Sequence, residues 1–499
     1  MTQAAETDRL STTPSRAPDL AERVDQATAA SPGRSLRRGS LRFLRTVALP
    51  VGIQGPTAGV IIGPAIIAGI VGEPGALAQV LALVAMGFVA YAFVVFTRAF
   101  NTAGSVYAFN ATALGPGYGF VSAWLLLLVY TSFAAGVYAA TADIAQTLLA
   151  SLGIHVGWVW LGLAGAALAL GLAFLSIGFS SLVILACEGA AVALITAVAV
   201  AVLASGGYHH HGLGAAPFSP HGASLSVLAL GVTAAFGQFS GFESAATLGE
   251  EARHSTRIIP AAIAWSLAGA AAVYIFFTWI VYSAYPDPAA VAAAPAPLVS
   301  VAGTYLGSGI GTAVNAAGMV SAFGAQLACL NAAARLLFAL GRETGGAGAF
   351  LTRTWRRHCS PAGALTVAGA ASIATLLAFG AEHAATRAAT LIIQYGAYLI
   401  LAAYLMTVLA ALAWTWRTRR RPLPMAVLTT GAAVLGYVLY RAFTPFPAAP
   451  FSWIVLAASA SVILGVATLL VPGLLTRMRG SRVLAVTATA VTGPAARPR

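Results

Sequence analysis

The sequence has little charge and no lysine. Only 8% of its 499 residues are charged, 59% are hydrophobic, and all 27 basic residues are arginines. A water-soluble protein of this length needs far more charge to cover its surface, so the composition excludes that class and indicates a membrane protein with many spans. The absence of lysine also excludes a lysine as a buried proton-carrying group.

Other kinds of site are missing as well. The three cysteines (Cys187, Cys329 and Cys359) form neither a disulfide framework nor a metal-ligand spacing. No H-E-x-x-H motif and no nucleophile–base pair occurs in the apolar segments, which argues against an intramembrane enzyme. We therefore predict no enzyme, no cofactor and no metal site.

Residues 1–45 contain no apolar run, so we predict a disordered tail rather than a cleaved secretory signal. Twelve apolar segments follow, most of them about the 20 residues that a membrane-spanning helix needs. The third, eighth and tenth are longer and are predicted to tilt or to extend beyond the bilayer. The segments are 47–71, 77–97, 119–149, 157–176, 180–204, 225–249, 261–284, 310–340, 362–380, 387–414, 424–440 and 452–471.

The arginines predict the orientation. If the N-terminus is cytoplasmic, 25 of the 27 arginines lie on the cytoplasmic side, and only Arg387 and Arg441 lie outside. This is a strong positive-inside bias, and it predicts that both termini are cytoplasmic. The basic charge is thus explained by topology rather than by nucleic-acid binding, and the tails are the expected contact with anionic membrane lipids.

Two apolar segments are interrupted by small and polar residues. The first interruption lies in residues 53–64 (IQGPTAGVIIGP) and the second in residues 232–260, around Gly237, Ser240 and Gly241. A broken helix is tolerated in a bilayer only where its free backbone groups line a cavity or are buried in protein. Two breaks at corresponding places in two halves of a chain indicate a transporter binding site.

Five blocks resemble the amino acid–polyamine–organocation permeases and occur in that family's order between about residues 45 and 415. Asn101 stands where the family usually has proline. The blocks are 56–65 (PTAGVIIGPA), 98–107 (RAFNTAGSVY), 115–124 (GPGYGFVSAW), 239–260 (FSGFESAATLGEEARHSTRIIP) and 331–342 (NAAARLLFALGR).

The resemblance implies an all-α, LeuT-like transporter fold with 12 transmembrane helices, in which helices 1 and 6 are broken. Two five-helix inverted repeats, residues 46–204 and 225–414, would be followed by accessory helices 11 and 12 in residues 423–472. Residues 1–45 and 473–499 would be cytoplasmic tails. The implied function is transport of an amino acid by alternating access across a bacterial cytoplasmic membrane.

An amino acid brings a carboxylate and an ammonium group to the site. The N-terminus of a half-helix offers unpaired N–H groups and a positive dipole end to the carboxylate, and loosened carbonyls can accept from the ammonium. The alternative is that the glycines and proline only allow a kink and close packing. The predicted substrate-binding residues are Pro56, Thr57, Ala58, Gly59, Phe236, Gly237, Gln238, Phe239, Ser240, Gly241, Tyr130 and Ser321.

Two buried carboxylates are predicted to couple transport to protons. Glu188 is the single ionisable residue of the fifth segment, where burial favours its neutral, protonated form. A structural hydrogen-bonding role is the alternative. Glu243 completes the S-x-x-E capping-box pattern that begins at Ser240, so it either caps the second half of helix 6, or carries or senses a proton, or does both.

The sequence leaves the substrate and the mode of transport open. The absence of an acidic cluster or an intramembrane arginine at the breaks favours a neutral amino acid, and the buried carboxylate Glu188 favours proton-coupled uptake. The alternatives are an amino acid or polyamine exchanger, an uncoupled facilitator, and a nutrient sensor built on the same scaffold. The oligomeric state is not predicted.

Overall fold

The computed structural model describes residues 20–29, 36–210, 213–355, 357–380, 383–418, 421–444, 446–479 and 486. These residues form helices and connecting loops and contain no strand, apart from an isolated parallel bridge between Leu41 and Ala252. The all-α class predicted from the sequence is confirmed.

The α-helices of this part of the chain are numbered in chain order, and short 3-10 helices connect some of them. They are α1 (Leu20–Ala29), α2 (Phe43–Gln54), α3 (Pro56–Val71), α4 (Gly75–Thr97), α5 (Val106–Leu114), α6 (Pro116–Ser151), α7 (Trp158–Ala173), α8 (Ile177–Ala204), α9 (Leu225–Phe239), α10 (Ser255–Ser283), α11 (Pro288–Ala293), α12 (Pro297–Leu306), α13 (Ser308–Thr344), α14 (Ala362–Gly380), α15 (Ala385–Thr418), α16 (Pro422–Phe443), α17 (Phe451–Ala467) and α18 (Leu474–Arg479).

Among the described residues, 11 helical segments are long and apolar enough to cross a membrane. Helices α2 and α3 count as one segment, and so do α9 and the 3-10 helix Phe242–Leu248 that follows it. The fourth predicted segment forms α7, whose 16 residues fall short of the roughly 20 that a straight span needs. The protein is a polytopic membrane protein, and the predicted number of 12 spans stays unconfirmed.

Three long helices form the middle of the bundle. Helices α6, α13 and α15 have 36, 37 and 34 residues, which corresponds to about 50–56 Å of helix. Each exceeds the roughly 30 Å hydrocarbon core, as their sequence lengths predicted. Helix α6 packs against both α13 and α15, and α13 also packs against α2 and α3, the two halves of the first interrupted segment.

The first predicted interruption is a real break between α2 and α3. Gly55 has φ +50° and ψ +59°, the left-handed conformation that glycine adopts without a Cβ clash. Its N–H donates to the carbonyls of Val51 and Gly52, which closes the end of α2. Pro56 then begins α3 at a position where a missing N–H costs nothing.

The second predicted interruption is also a break, and it touches the first. After α9, Ser240 is extended and Gly241 has φ +119°, and the chain continues as a 3-10 helix rather than an α-helix. A Cβ added to Gly241 would lie 2.5 Å from Cγ2 of Ile53. The backbone of the second break is therefore packed directly on the end of α2.

Two ion pairs join α13 to neighbouring loops at one end of the bundle. Arg335 lies 2.5 Å (Nε to Oε2) from Glu251, and both side chains are buried. Arg342 pairs with Glu250, which also accepts a hydrogen bond from the N–H of Ala103 at 3.1 Å. We call this the ion-pair end (Glu250, Glu251, Arg335 and Arg342). The contacts tie α13 to the loop after the second break and to the loop after α4.

The segment before α2 packs on the ion-pair end. The N–H of Leu41 donates to the carbonyl of Glu251 at 2.9 Å, and the N–H of Arg253 donates to Leu41 at 2.9 Å. Leu36 and Leu41 are both buried. Of the predicted disordered tail, residues 1–19 and 30–35 lie outside the described residues, whereas residues 20–29 form α1.

Candidate functional site

The two breaks are joined by side chains as well as by packing. The side-chain amide of Gln54 donates to the carbonyl of Phe239 at 3.1 Å. The hydroxyl of Tyr274, on α10, lies 2.6 Å from the carbonyl oxygen of Gln54 and 2.9 Å from that of Gln238. One phenol proton thus serves a loosened carbonyl from each break, which holds the two breaks at a fixed separation.

The N-terminus of α3 is occupied by a carboxylate of the protein itself. Oε1 of Glu188, on α8, accepts from the N–H of Thr57 at 2.8 Å and from its hydroxyl at 2.9 Å. Oε2 accepts from the hydroxyl of Ser321, on α13, at 2.6 Å. The oxygen of Ser321 in turn accepts from the N–H of Ala58 at 3.2 Å. Glu188 therefore caps α3 where the helix dipole favours an anion.

No backbone donor is left over in the first turn of α3. Pro56 has no N–H, and those of Thr57 and Ala58 make the bonds just described. The N–H of Gly59 donates to the carbonyl of Gly55 at 2.9 Å. The predicted carboxylate-binding residues are thus brought to the break, with every N–H already paired.

The carbonyls at the end of α9 can still accept further hydrogen bonds. Those of Phe236 and Gly237 accept from the hydroxyl and the N–H of Ser240, at 3.2 and 3.3 Å. Those of Gln238 and Phe239 accept the bonds described above. A carbonyl oxygen has two lone pairs, so each can accept a second hydrogen bond. The carbonyls at this break can therefore bind a further donor, whereas the N–H groups in the first turn of α3 are all paired.

Glu243 lies beside the second break, in a separate cluster of hydrogen-bonded side chains. Its Oε1 accepts from the hydroxyl of Tyr130, on α6, at 3.0 Å. Its Oε2 accepts from the hydroxyl of Tyr404, on α15, at 2.5 Å and from the N–H of Gly241 at 2.9 Å. One buried carboxylate thus connects the break to two of the three long helices.

The predicted capping box is half formed. Glu243 accepts from the backbone N–H of Gly241, the N-cap residue of the 3-10 helix Phe242–Leu248, as the glutamate of a capping box does. The hydroxyl of Ser240 instead donates to the carbonyl of Phe236. Its side chain is turned to α9 because the break places Ser240 at the end of that helix.

The aromatic residues around the break pack against the tyrosines. Phe239 meets the ring of Tyr274 edge-on, with centroids 5.2 Å apart. Phe236 and Phe242 contact the ring of Tyr404 at 6.0 and 5.7 Å. These contacts hold the hydroxyl groups in place beside the breaks.

Gln238 and Gly237, the remaining predicted residues at the second break, have different surroundings. The side chain of Gln238 accepts from Gln79, on α4, at 3.0 Å. Gly237 borders open space, because a Cβ added there would have no heavy atom within 4 Å. The predicted site residues thus fall into two hydrogen-bonded clusters. The first, at the N-terminus of α3, contains Thr57, Ala58, Glu188 and Ser321, and the second, beside the second break, contains Glu243 and Tyr130.

Sequence reasoning missed Gln54, Gln79, Tyr274 and Tyr404 as parts of these clusters. Tyr274 and Tyr404 are fully buried inside apolar helices. A tyrosine hydroxyl in such a place needs a polar partner, because neither lipid nor an apolar core provides one. That signal marks the tyrosines as structural links, but it does not tell which carbonyl or carboxylate each one reaches.

The family model described as "Amino acid permease" matches residues 41–469. The chain is also 28% identical over 288 residues to the branched-chain amino acid permease BcaP of Lactococcus lactis subsp. cremoris (strain MG1363). That match covers 53% of this chain and 60% of the relative's length. Both findings point to a transporter rather than an enzyme. Since the family match extends over most of the chain and includes both breaks and both carboxylate clusters, the chain belongs to the amino acid permease family.

Proposed function

We propose that the protein is a secondary active transporter that takes up a neutral amino acid by alternating access, together with protons. The observation that carries this proposal is the contact between the two breaks. It brings the positive end of the α3 dipole and carbonyls with spare lone pairs to one place.

Each break would bind one of the amino acid's two charged groups. Residues 56–59 of α3 would hold the carboxylate, with Ser321 beside it. The carbonyls between Phe236 and Ser240 would accept from the ammonium group. Tyr130 would lie next to the substrate, oriented by Glu243. This arrangement needs no charged partner for a zwitterion, since dipoles and carbonyls balance its two charges.

The chemistry favours a neutral side chain. The two carboxylates near the breaks are each held by three hydrogen bonds from the protein, so a cationic side chain would have to compete with those donors. The relative in Lactococcus lactis is named for branched-chain amino acids. Leucine, isoleucine and valine are therefore the first substrates to test.

Glu188 is the proposed proton-carrying group, with Glu243 as the second candidate. Glu188 is buried and has no ion pair among the described residues, where Arg335 and Arg342 pair with other glutamates. An ionisable side chain inside a membrane-spanning segment and without an ion-pair partner is a candidate proton carrier. Proton uptake and release at Glu188 would accompany opening to either side.

The orientation follows from the arginines. We propose that the ion-pair end faces the cytoplasm of a bacterial cell, as the positive-inside bias predicts. That end is held together by buried ion pairs, so opening inward requires Glu250 and Glu251 to separate from their arginines. The two proposed repeats, residues 46–204 and 225–414, would move relative to each other around the breaks.

Reconstitution into liposomes tests the proposal. Uptake of labelled leucine, isoleucine, valine, arginine and glutamate is measured with and without an inward proton gradient, with a pH dye inside. Accumulation of a branched-chain amino acid above its outside concentration, with internal acidification, is the expected result. Equilibration without accumulation would indicate a facilitator, and uptake only against a preloaded amino acid would indicate an exchanger. Binding without any flux would leave a sensor.

A further inference from the structure

We infer that the carboxylate of Glu188 occupies the place of the substrate's own carboxylate, so that the two compete for the same donors at the N-terminus of α3. Glu188 is then an internal occupant of the site, which the substrate must displace. The inference rests on the proposed function, because it concerns how that site takes an amino acid.

The count of donors leads to this conclusion. Thr57 gives both its N–H and its hydroxyl to Glu188, and the N–H of Ala58 goes to Ser321, which donates to the same carboxylate. An N–H group makes one strong hydrogen bond, and a carboxylate that loses its donors in a buried place is strongly destabilised. A second carboxylate cannot bind these groups while Glu188 holds them.

The ammonium half of the site has no such occupant. The carbonyls at the end of α9 each have one partner and retain a lone pair. A primary amine without a carboxylate can therefore bind without moving Glu188. The competition affects only ligands that carry a carboxylate.

Protonation decides the competition. The polar groups around Glu188 are Thr57, Ser321, the phenol of Tyr274 and the neighbouring thiol of Cys187, and none of them supplies a positive charge. When the substrate carboxylate takes the α3 donors, Glu188 is left beside it as a like charge unless it gains a proton. One proton would thus enter with each zwitterion. On release of the substrate, Glu188 would lose that proton and return to α3.

Ligand binding to the purified protein tests this between pH 5.5 and 8.5. We expect leucine to bind the wild type less tightly as pH rises, by up to about tenfold per pH unit for a single linked proton. The variant Glu188→Gln should bind leucine at least tenfold more tightly at pH 8 and lose most of this pH dependence. Isopentylamine, which is leucine without its carboxylate, should bind both proteins equally. A Glu188→Gln variant with wild-type pH dependence would overturn the inference.

A second measurement does not depend on any amino acid being a substrate. Removing the side chain in Glu188→Ala frees the α3 donors, so sodium acetate should raise the Tm of this variant relative to sodium chloride at equal ionic strength. It should leave the Tm of the wild type and of a Glu73→Gln control unchanged. Equal effects of acetate on all three proteins would also overturn the inference.

The two failures are distinguishable. If no amino acid is transported in liposomes but acetate still stabilises Glu188→Ala selectively, the proposed function fails and the occupied anion site stands. If transport is found and both Glu188 tests fail, the transporter stands and Glu188 is only a structural hydrogen-bonding group.

Discussion

The hydroxyl of Tyr274 donates to the carbonyl oxygen of Gln54 at 2.6 Å and thereby fastens α10 to the end of α2. The same hydroxyl reaches the carbonyl of Gln238 at 2.9 Å. A single side chain thus holds a loosened carbonyl of each broken helix. Removing its hydroxyl group is the smallest substitution that tests the geometry of both breaks together.

We expect Tyr274→Phe to reduce amino acid uptake severalfold while lowering the free energy of unfolding by only about 1 kcal/mol, the usual value of one hydrogen bond. The functional loss exceeds the structural one because two carbonyls change their partners. The matched control is Tyr282→Phe on the same helix, whose hydroxyl donates to Gly72 outside the breaks. Equal uptake by both variants would contradict a role for Tyr274 at the site.

The cluster around Glu243 predicts which of two substitutions reduces uptake more. Glu243→Gln removes the negative charge that strengthens the hydrogen bonds from Tyr130, Tyr404 and Gly241, and a tyrosine hydroxyl that faces the new NH₂ group must accept instead of donate. Tyr130→Phe removes a single donor from an otherwise intact cluster. Initial rates of uptake should therefore fall more in Glu243→Gln than in Tyr130→Phe.

Tyr138→Phe is the control for this series, because Tyr138 lies on the same helix and its hydroxyl has no hydrogen-bond partner in the described part of the chain. It should retain wild-type uptake. Finding Tyr130→Phe indistinguishable from Tyr138→Phe would show that the bond to Glu243 does not matter for transport.

The buried ion pair of Arg335 and Glu251 predicts a large stability effect. Glu251→Leu leaves the guanidinium buried without its carboxylate, which should lower the free energy of unfolding by about 3–5 kcal/mol. The double variant Glu251→Leu, Arg335→Met removes both charges and should recover most of that loss. Unfolding in mixed micelles measures both. A double variant as unstable as the single one would show that the pair itself, rather than the orphaned charge, provides the stability.

The glycines at the breaks predict a conformational cost. Gly55→Ala places a Cβ on a residue with φ +50°, which costs about 1–2 kcal/mol. Gly241→Ala should cost more, because its Cβ would also lie 2.5 Å from Ile53. The control is Gly87→Ala within α4, where an added Cβ meets nothing within 4 Å. Thermal unfolding should rank Gly87→Ala as the mildest, and any other order would argue against these breaks.

Much of the fold could be predicted from local patterns. Apolar segments of about 20 residues located the spans, and Gly55 with Pro56, and Ser240 with Gly241, marked both breaks. The fourth segment was the exception, since its helix α7 has only 16 residues. Hydropathy counts apolar residues and does not show where the last turn of a helix unwinds.

The partners in the site were less predictable. The sequence predicts Ser321 as a substrate-binding residue and Glu188 as a proton-coupling residue of the fifth segment, and not as one hydrogen-bonded unit at the N-terminus of α3. Thr57 and Glu188 are 131 positions apart in the chain, and nothing in a local pattern records that distance in space. The tyrosines were missed because a hydroxyl's partner depends on which helix packs beside it.

The sequence by itself determined that the chain lies in a membrane, where most of its helices are and where two of them break, and it placed Glu243 beside the second break and Glu188 inside an apolar segment. These properties follow from composition and from the conformational limits of glycine and proline, which act within a few residues. Only the tertiary structure decided that the donors of α3 belong to Glu188 and that one tyrosine joins both breaks. Hydrogen bonds between helices form only when packing brings groups distant in the chain within about 3 Å of each other.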